Sequence, residues 1–345
     1  MSERVLVVGA GAVGQVFAHH LARGGAEVAL LVKPAHEAAL REGMTLYRLR
    51  RRGPLRERFE GYRILTAPSQ AAGTRWDQVY SAVSSAALRP ATWFAELARA
   101  TGDATVVFLQ PNIDDRAIAT TYADPQRLVD GMIGFIAYHS PLPGVTDDRD
   151  RDGGAPGMAF WLPPGSPSRF AGDELRTTAV IDALRRGGLP ASRMDPSSFA
   201  AVTPFANAVL YACIATLQAA GWSLAALADD RWLERLGAVA TESLTIVSDH
   251  LQLGIPLGAR LVTNPLVLRA ALRLAPAVVP LPLEPYLRAH FTKVGPQMRL
   301  GLAAYAQLGA AAGLPTDALA QLCAAIDPAL QPAGSPPLAG PVPLC

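Results

Sequence analysis

Val5-Leu6-Val7-Val8-Gly9-Ala10-Gly11-Ala12-Val13-Gly14 is the stretch that most limits what this chain can fold into. The apolar run reads as a buried strand, and the glycines behind it read as a sharp turn into a helix. Gly9 permits the tight turn, Gly11 lets the main chain approach a pyrophosphate, and Gly14 lets the helix pack closely on the strand. The helix N-terminus then faces the anion. Gly9, Ala10, Gly11, Ala12, Val13 and Gly14 are therefore candidate cofactor contacts. GxGxxG alone is a weak motif, but here it follows a strand and precedes an amphipathic segment from Val13 to Arg23, the context a dinucleotide site requires. The competing reading is a glycine-rich turn in an α/β protein that binds no nucleotide.

The residues that follow complete a β-α-β unit. Gly24-Gly25 stops the helix, and Glu27–Val32 supplies a second buried strand that the connection makes parallel to the first. An NAD site would end this strand with Asp or Glu on the ribose hydroxyls; this chain has Lys33, and a cation suits the 2′-phosphate of NADP. A solvated lysine at a strand end is the plainer alternative. Ala35–Glu42 reads as a helix, and Met44–Leu49 and Leu55–Phe59 form a hairpin around Arg52-Gly53-Pro54. Its arginines, Arg48, Arg50, Arg51, Arg52, Arg56 and Arg58, read as a solvated edge that discourages aggregation. No aromatic interleaving makes a nucleic-acid groove of them.

Asp77–Val83 and Thr105–Leu109 are two more buried strands, separated by a helix containing Trp93, Phe94 and Leu97. Ligands of such sheets gather outside the carboxyl ends of the strands, which singles out Ser84, Ser85, Gln110, Pro111 and Asn112. Arg127 to His139 supplies another strand, and Pro141–Arg169, rich in Gly, Pro and charge, reads as loops or irregular hairpins. From Gly172 onward the pattern turns to Ala- and Leu-rich helical periodicity, in Glu174–Arg186, Phe205–Ala220, Arg231–Leu253 and Met298–Ala312. The expected fold is α/β, an N-terminal Rossmann-like doubly wound sheet with an all-helical C-terminal domain. The expected boundaries are 1–171 for the nucleotide domain, 172–326 for a helical substrate and dimerisation domain, and 327–345 for a Pro-rich tail.

Composition narrows the function further. A chain of 345 residues has room for two cores, and a formal net charge of +2 gives no global reason to bind nucleic acid or an anionic membrane. A small-molecule substrate fits better. Cys213, Cys323 and Cys345 form no CxxC pair, which points to a reducing cytoplasm and away from zinc. No metal is expected: Asp249-His250 and His19-His20 lack further ligands at zinc spacing. The start of the chain lacks the pattern of a signal peptide, and the apolar stretch Ala270–Leu283 is interrupted by Arg273, Pro276, Pro280 and Pro282, so no membrane span is expected.

With these residues in view, the chain resembles the ketopantoate reductase family. The resemblance rests on Val7–Gly14, on Lys33, on Gly131-Met132-Ile133-Gly134-Phe135-Ile136-Ala137 with Pro143-Gly144-Val145 behind it, and in the helical half on Asp195 to Asn207, Thr292-Lys293-Val294-Gly295 and Gly313-Leu314-Pro315-Thr316. It implies a Rossmann domain and a helical domain with the active site between them, and NADPH-dependent reduction of the ketone of a 2-oxo acid, with a lysine as proton donor. It adds Ala137 to the cofactor-binding positions.

The chain departs from the family's machinery at several of its positions. Counted from Asp195, the family lysine falls on Thr203, the first of two asparagines is kept as Asn207, and the second becomes Tyr211. The family's glutamate becomes Lys293, its Gln-Asn-Gly becomes Gln110-Pro111-Asn112, and its lysine after the preceding strand becomes Ser84. One lysine is lost and another gained, so Lys293, Asn207 and Thr203 are the candidate catalytic residues, with Lys293 as the new cation. Alternatives exist for each: Lys293 as a solvated loop residue ahead of a helix starting at Gly295-Pro296, Asn207 as a satisfied core amide, and Thr203 as a helix cap before Pro204. His290 is the second choice as acid.

The first functional expectation is an NADPH-dependent reductase of a small carbonyl or imine substrate, 2-oxo-acid-like but other than ketopantoate. The second is an NADP-binding scaffold or sensor without activity. The third is an ordinary ketopantoate reductase, for which no lysine is available between Lys33 and Lys293. A homodimer through the helical half is the expected assembly if there is one.

Overall fold

Short apolar runs alternating with amphipathic helices are buried most economically as parallel strands covered on both faces. The first part of the computed structural model, which describes residues 2–89, 92–109, 112–113, 115–146, 150–151 and 153–326, is built this way. Its main sheet contains β1 (Arg4–Val8), β2 (Glu27–Leu31), β5 (Arg63–Leu65), β6 (Gln78–Ser81), β7 (Thr105–Leu109), β8 (Leu128–Met132), β11 (Ser168–Gly172) and β12 (Ala191–Arg193). The strand order is β12-β11-β8-β7-β6-β1-β2-β5. β1 lies parallel to β2 (Val8↔Leu31) and to β6 (Val8↔Ser81), while β11 turns antiparallel to β8 (Phe170↔Gly131). The run from β5 to β8 is a doubly wound order, and it reverses direction between β1 and β6. That switch point is where such sheets bind ligands.

Alternation along β1 sends its side chains to opposite faces. Val5 and Val7 join Phe17, Leu30, Val107, Val129 and Leu184 in one core, and Leu6 and Val8 join Ala29, Val79, Trp76 and Leu97 in the other. The covering helices are α1 (Ala12–Arg23), α2 (Glu37–Arg41), α3 (Ser85–Leu88), α4 (Thr92–Ala100), α5 (Asp115–Thr120) and α6 (Glu174–Arg186). α6 starts where the Asp173 side chain accepts the Arg176 N–H at 3.0 Å, and its last turn carries Arg185 and Arg186, which complement the helix dipole.

A second, four-stranded sheet runs β4-β3-β10-β9, with β3 (Met44–Arg48), β4 (Leu55–Phe59), β9 (Ile136–Ser140) and β10 (Gly157–Trp161). β3 and β4 pair as the expected hairpin, from Met44↔Phe59 to Arg48↔Leu55. β4 is the outer strand, with Arg56 and Arg58 exposed, while Glu57 turns inward to bond His19 and to lie 3.6 Å from Arg23. Neither His19 nor His20 is solvated: both are buried in α1, and His20 Nδ1 lies 2.8 Å from Gly187 O.

Two expectations are corrected here. The single strand expected over Arg127–His139 is two strands, β8 and β9, in different sheets. The chain breaks at Gly134, where a Cβ would lie 2.5 Å from the Pro167–Ser168 main chain and where the N–H donates to Ser168 Oγ at 3.0 Å. Pro141–Arg169, expected as loops or irregular hairpins, contains β10 and the start of β11; Met158, Ala159 and Phe160 are all buried, so no alternation betrayed the strand.

The chain divides into two compact units, one up to Phe199 and one from Ala200. α6 and β12, expected after a boundary at 171, lie in the first: β12 pairs parallel with β11, and Arg176 of α6 donates to Asp103 O at 2.9 Å. The second unit is helical in its described residues: α7 (Pro196–Ala219, begun before the division), α8 (Leu224–Leu227), α9 (Asp230–Leu251), α10 (Leu257–Val262), α11 (Pro265–Val278), α12 (Leu283–Lys293), α13 (Gly295–Ala311) and α14 (Asp317–Ile326). α9 caps α14 from a distance, the Glu242 carboxylate accepting the Ala318 and Leu319 N–H groups at 3.0 and 2.9 Å. By length and composition α7 is long and apolar enough to cross a membrane, with half of its most apolar window buried in the protein; α11 and α12 bend by 104° across the Pro-rich break. The expected tail, 327–345, lies outside the described residues.

Candidate functional site

The glycine turn has the geometry its sequence predicts. Gly9 takes φ +91°, open to glycine and strained for other residues, and its N–H donates to Leu31 O at 2.9 Å, tying the turn to the end of β2. A Cβ on Gly14 would lie 1.9 Å from Gly9 O, so α1 and the turn are in contact at that point. A Cβ on Gly11 would meet nothing within 4 Å. The space beside Gly11 is open, while the space beside Gly14 is filled by protein, the division of labour a pyrophosphate site needs. Gln15 Nε2 donates to Ala10 O at 2.9 Å and holds the turn down, and Gln15 N–H is the first to bond back into the helix, to Gly11 O. The N–H groups of Ala12, Val13 and Gly14 are thereby left toward the open side, as at any helix start.

Beyond Leu31, Val32 N–H donates to Leu65 O at 2.9 Å, and the next residue, Lys33, is exposed at the head of the short turn Pro34–His36. On the other side of β1, β6 ends beside the same turn: Ala82 N–H donates to Val8 O at 2.9 Å, and Ala82 O lies 3.1 Å from where a Gly9 Cβ would be. Ser84, half-buried, precedes α3. The turn, Lys33 and Ser84 are thus gathered at the carboxyl ends of three adjacent strands.

One carboxylate organises the end of β7. Asp115, buried at the start of α5, accepts the Asn112 N–H at 2.8 Å and the Ser85 hydroxyl on Oδ2, and its Oδ1 lies 3.2 Å from an Arg89 guanidinium nitrogen. It ties α3, α5 and Asn112 together. Sequence position singled out Ser85 and Asn112 but missed Asp115 and Arg89; the signal available was an acidic residue three positions beyond Asn112. Gln110 and Pro111 lie outside the described residues. Ala137 is placed apart from these positions, buried in β9 opposite Phe160, with its side chain in the core that also holds Phe17 and Phe135.

In the helical unit, Thr203, Asn207 and Tyr211 recur every four residues along α7 and share one face. Thr203 is no helix cap. α7 begins at Pro196, with the Asp195 carboxylate accepting the Ser198 N–H at 2.9 Å and the Ser197 hydroxyl, and Pro204 is accommodated inside the helix. The Asp195-Pro196 pair, a cap with proline in the first turn, is the start signal that Thr203-Pro204 obscured. Thr203 Oγ1 is buried without a hydrogen-bond partner among the described residues. Tyr211 lays its ring on Gly301 of α13, 6.3 Å from the Tyr305 ring.

Lys293 is the exposed last residue of α12, not a loop residue, and α13 begins two residues later at Gly295. His290, on the preceding turn, stacks against Tyr286 at 5.4 Å; burial, aided by the Lys293 charge, lowers its pKa to about 4. It is therefore neutral at pH 7 and a poor substitute acid. Burial likewise pushes the Cys213 thiol up to about 11, which leaves it unreactive. No cluster of three or more His, Cys, Asp or Glu side chains able to hold a metal occurs among the described residues.

The strand order and the glycine turn define a Rossmann-like doubly wound fold. Residues 5–145 match the family model for ketopantoate reductase PanE/ApbA, so this part of the chain is similar to that family. The fold is also that of a ternary structure of D-mandelate dehydrogenase with NADH and anilino(oxo)acetate (16% identity, TM-score 0.68, covering 94% of this chain and 96% of that one). It is shared by a PanE/ApbA family ketopantoate reductase from Ralstonia eutropha JMP134 (18%, 0.66, 94% and 97%) and a 2-dehydropantoate 2-reductase from Geobacter metallireducens GS-15 (15%, 0.65, 94% and 98%). No curated protein matches the chain in sequence.

Proposed function

We propose that this protein is a cytoplasmic NADPH-dependent reductase of a small carbonyl or imine compound, 2-oxo-acid-like and other than ketopantoate, with no nucleic-acid or membrane partner. The observation that carries the reading is the turn at Gly9–Gly14, bonded through Leu31 to the strand that leads to exposed Lys33. The open space beside Gly11 and the N–H groups of Ala12 and Val13 suit a pyrophosphate, and Lys33 suits a 2′-phosphate. Ser84, Gln110 and Asn112 complete the proposed cofactor contacts. When bound, the dihydronicotinamide supplies a hydride to the substrate carbon.

The chain's own task is then to balance the charge that develops on the substrate oxygen. Lys293 is proposed to stabilise that oxygen and to deliver the proton. Asn207 hydrogen-bonds the substrate's carbonyl or carboxylate. Thr203 Oγ1, buried without a partner among the described residues, is free to donate a hydrogen bond to the substrate but is no acid at neutral pH.

Titration with NADPH and NADH, followed by a panel of 2-oxo acids, ketones and imines scored by cofactor oxidation, tests this reading. NADPH is expected to bind at least ~10-fold tighter than NADH, a difference of about 1.4 kcal/mol, and Lys33→Asp is expected to erase it. Turnover of ketopantoate at ordinary enzymatic rates would overturn the substrate assignment. Tight NADPH binding without turnover across the panel would mark a non-catalytic NADP-binding protein, the reading favoured by Thr203 standing where the family has lysine.

A further inference from the structure

The carboxylate of Asp115 joins the two chain segments that leave the carboxyl ends of β6 and β7. Three groups converge on it: the Ser85 hydroxyl and the Asn112 N–H, the latter at 2.8 Å, both on Oδ2, and an Arg89 guanidinium nitrogen 3.2 Å from Oδ1. All three are donors, which suits an acceptor-only carboxylate. Burying a charge is costly unless it is paired, so the carboxylate fixes where its partners stand. The next residue is tied in another direction, with Arg116 donating to Asp130 of β8. The first turn of α5 is thus stapled on two sides, to α3 by Asp115 and to the sheet by Arg116.

We propose that Asp115 is a positioning residue for the nicotinamide half of the dinucleotide, acting through Asn112 and through the first turn of α3 behind Ser84. Such a role rests on the cofactor site proposed above. A doubly wound sheet holds a dinucleotide across its switch point, one mononucleotide to each side. Lys33 follows β2 on one side of β1, while β6 and β7, with Ser84 and Asn112 beyond their ends, lie on the other. With Lys33 assigned to the 2′-phosphate of the adenosine ribose, the ends of β6 and β7 receive the nicotinamide mononucleotide. The Asp115 side chain is 1% exposed and has no surface to offer a ligand, so its effect passes through the residues it holds. Its bonds to Asn112 and Ser85 both land on Oδ2, so one oxygen sets the spacing between the segment after β7 and the start of α3. A change of about 1 Å in that spacing is enough to misplace the ring from which the hydride leaves. Asparagine at this position is nearly isosteric but offers a single acceptor oxygen: it can serve the Asn112 and Ser85 donors or Arg89, not both sides, and its NH2 then faces a donor.

Two ligands separate this role from a merely structural one: NADPH, and 2′-phospho-ADP-ribose, which lacks the nicotinamide; NADH and ADP-ribose replace them if NADH is the tighter ligand. In Asp115→Asn, NADPH affinity is expected to fall roughly 10-fold, with loss of the fluorescence change that accompanies binding of the dihydronicotinamide. Affinity for the fragment is expected to stay within about 2-fold of wild type. Adding Arg89→Gln to Asp115→Asn sets an amide carbonyl against the new NH2 and is expected to recover most of the fluorescence change, a rescue that general destabilisation would not show. Arg116→Gln, the control, loosens the same helix start from the β8 side; it is expected to lower Tm and leave the affinity ratio of the two ligands unchanged. Equal losses for NADPH and the fragment in Asp115→Asn overturn the proposal, as does a variant that matches wild type on both. A wild-type protein that binds neither dinucleotide overturns the cofactor site itself and this role with it. Should Asp115→Asn not fold, Asp115→Glu, which keeps the charge and moves it by one methylene, carries the same comparison.

Discussion

Gly14→Ala is expected to lose dinucleotide binding and stability together. The new methyl would sit 1.9 Å from Gly9 O, in the turn itself, and 3.3 Å from Ala82 Cβ at the end of β6. Gly9 cannot yield, because it is held at φ +91° and its N–H is engaged by Leu31 O. α1 must therefore lift from β1, which costs about 1–3 kcal/mol of overpacking and carries the Ala12 and Val13 N–H groups away from the anion. A fall of about 100-fold in NADPH affinity corresponds to roughly 2.7 kcal/mol, and a chain of this size should lose several degrees of Tm as well. Gly11→Ala is the control. Its methyl meets no protein atom within 4 Å, so the melting temperature should hold while affinity falls, the methyl occupying the space proposed for the pyrophosphate. Fluorescence titration and thermal melts read both, and wild-type affinity in Gly11→Ala would remove the pyrophosphate from this turn.

Lys293→Met is expected to lower kcat by about 10²- to 10³-fold on whichever substrate the panel identifies, with NADPH affinity unchanged. The size of the loss follows from how poorly the two other candidates would substitute. His290, one turn back on α12, is held neutral at pH 7, and Thr203 offers only a hydroxyl. Removing the Lys293 charge relieves the smaller of the two influences on His290; burial remains and keeps it below its ordinary value. Lys293→Arg should keep the charge but not the proton transfer, because a guanidinium does not deprotonate in this range. It is expected to restore substrate affinity but not kcat. Full turnover by Lys293→Met would end the proposed role.

How far the molecule was legible from its residues varied with how local the cause was. β1, the glycine turn and α1 were readable because strand pattern, turn chemistry and helix start all act within about ten residues. The hairpin β3–β4 was readable for the same reason. Arg127–His139 was not: both halves look like strand, and only the close passage of Gly134 past Pro167 sends β8 and β9 to different sheets. The start of α7 was obscured by Thr203-Pro204, since a proline inside a helix looks like a start signal until Asp195-Pro196 is weighed against it. At the site, Asn112 could be named from its place after a strand. Asp115, which fixes it, could not, because its importance lies in burial and in Ser85 and Arg89 from another helix.

The sequence by itself determined the class of fold, the position of the glycine turn and the presence of Lys33 behind β2, because periodicity, glycine spacing and charge are properties of neighbours along the chain. Tertiary structure decided what depends on residues far apart: the second sheet beside α1, the buried Asp115 that gathers Ser85, Arg89 and Asn112, and the neutral state of His290. Those follow from which surfaces exclude water, and burial is set by the packing of distant segments, not by any short stretch of residues.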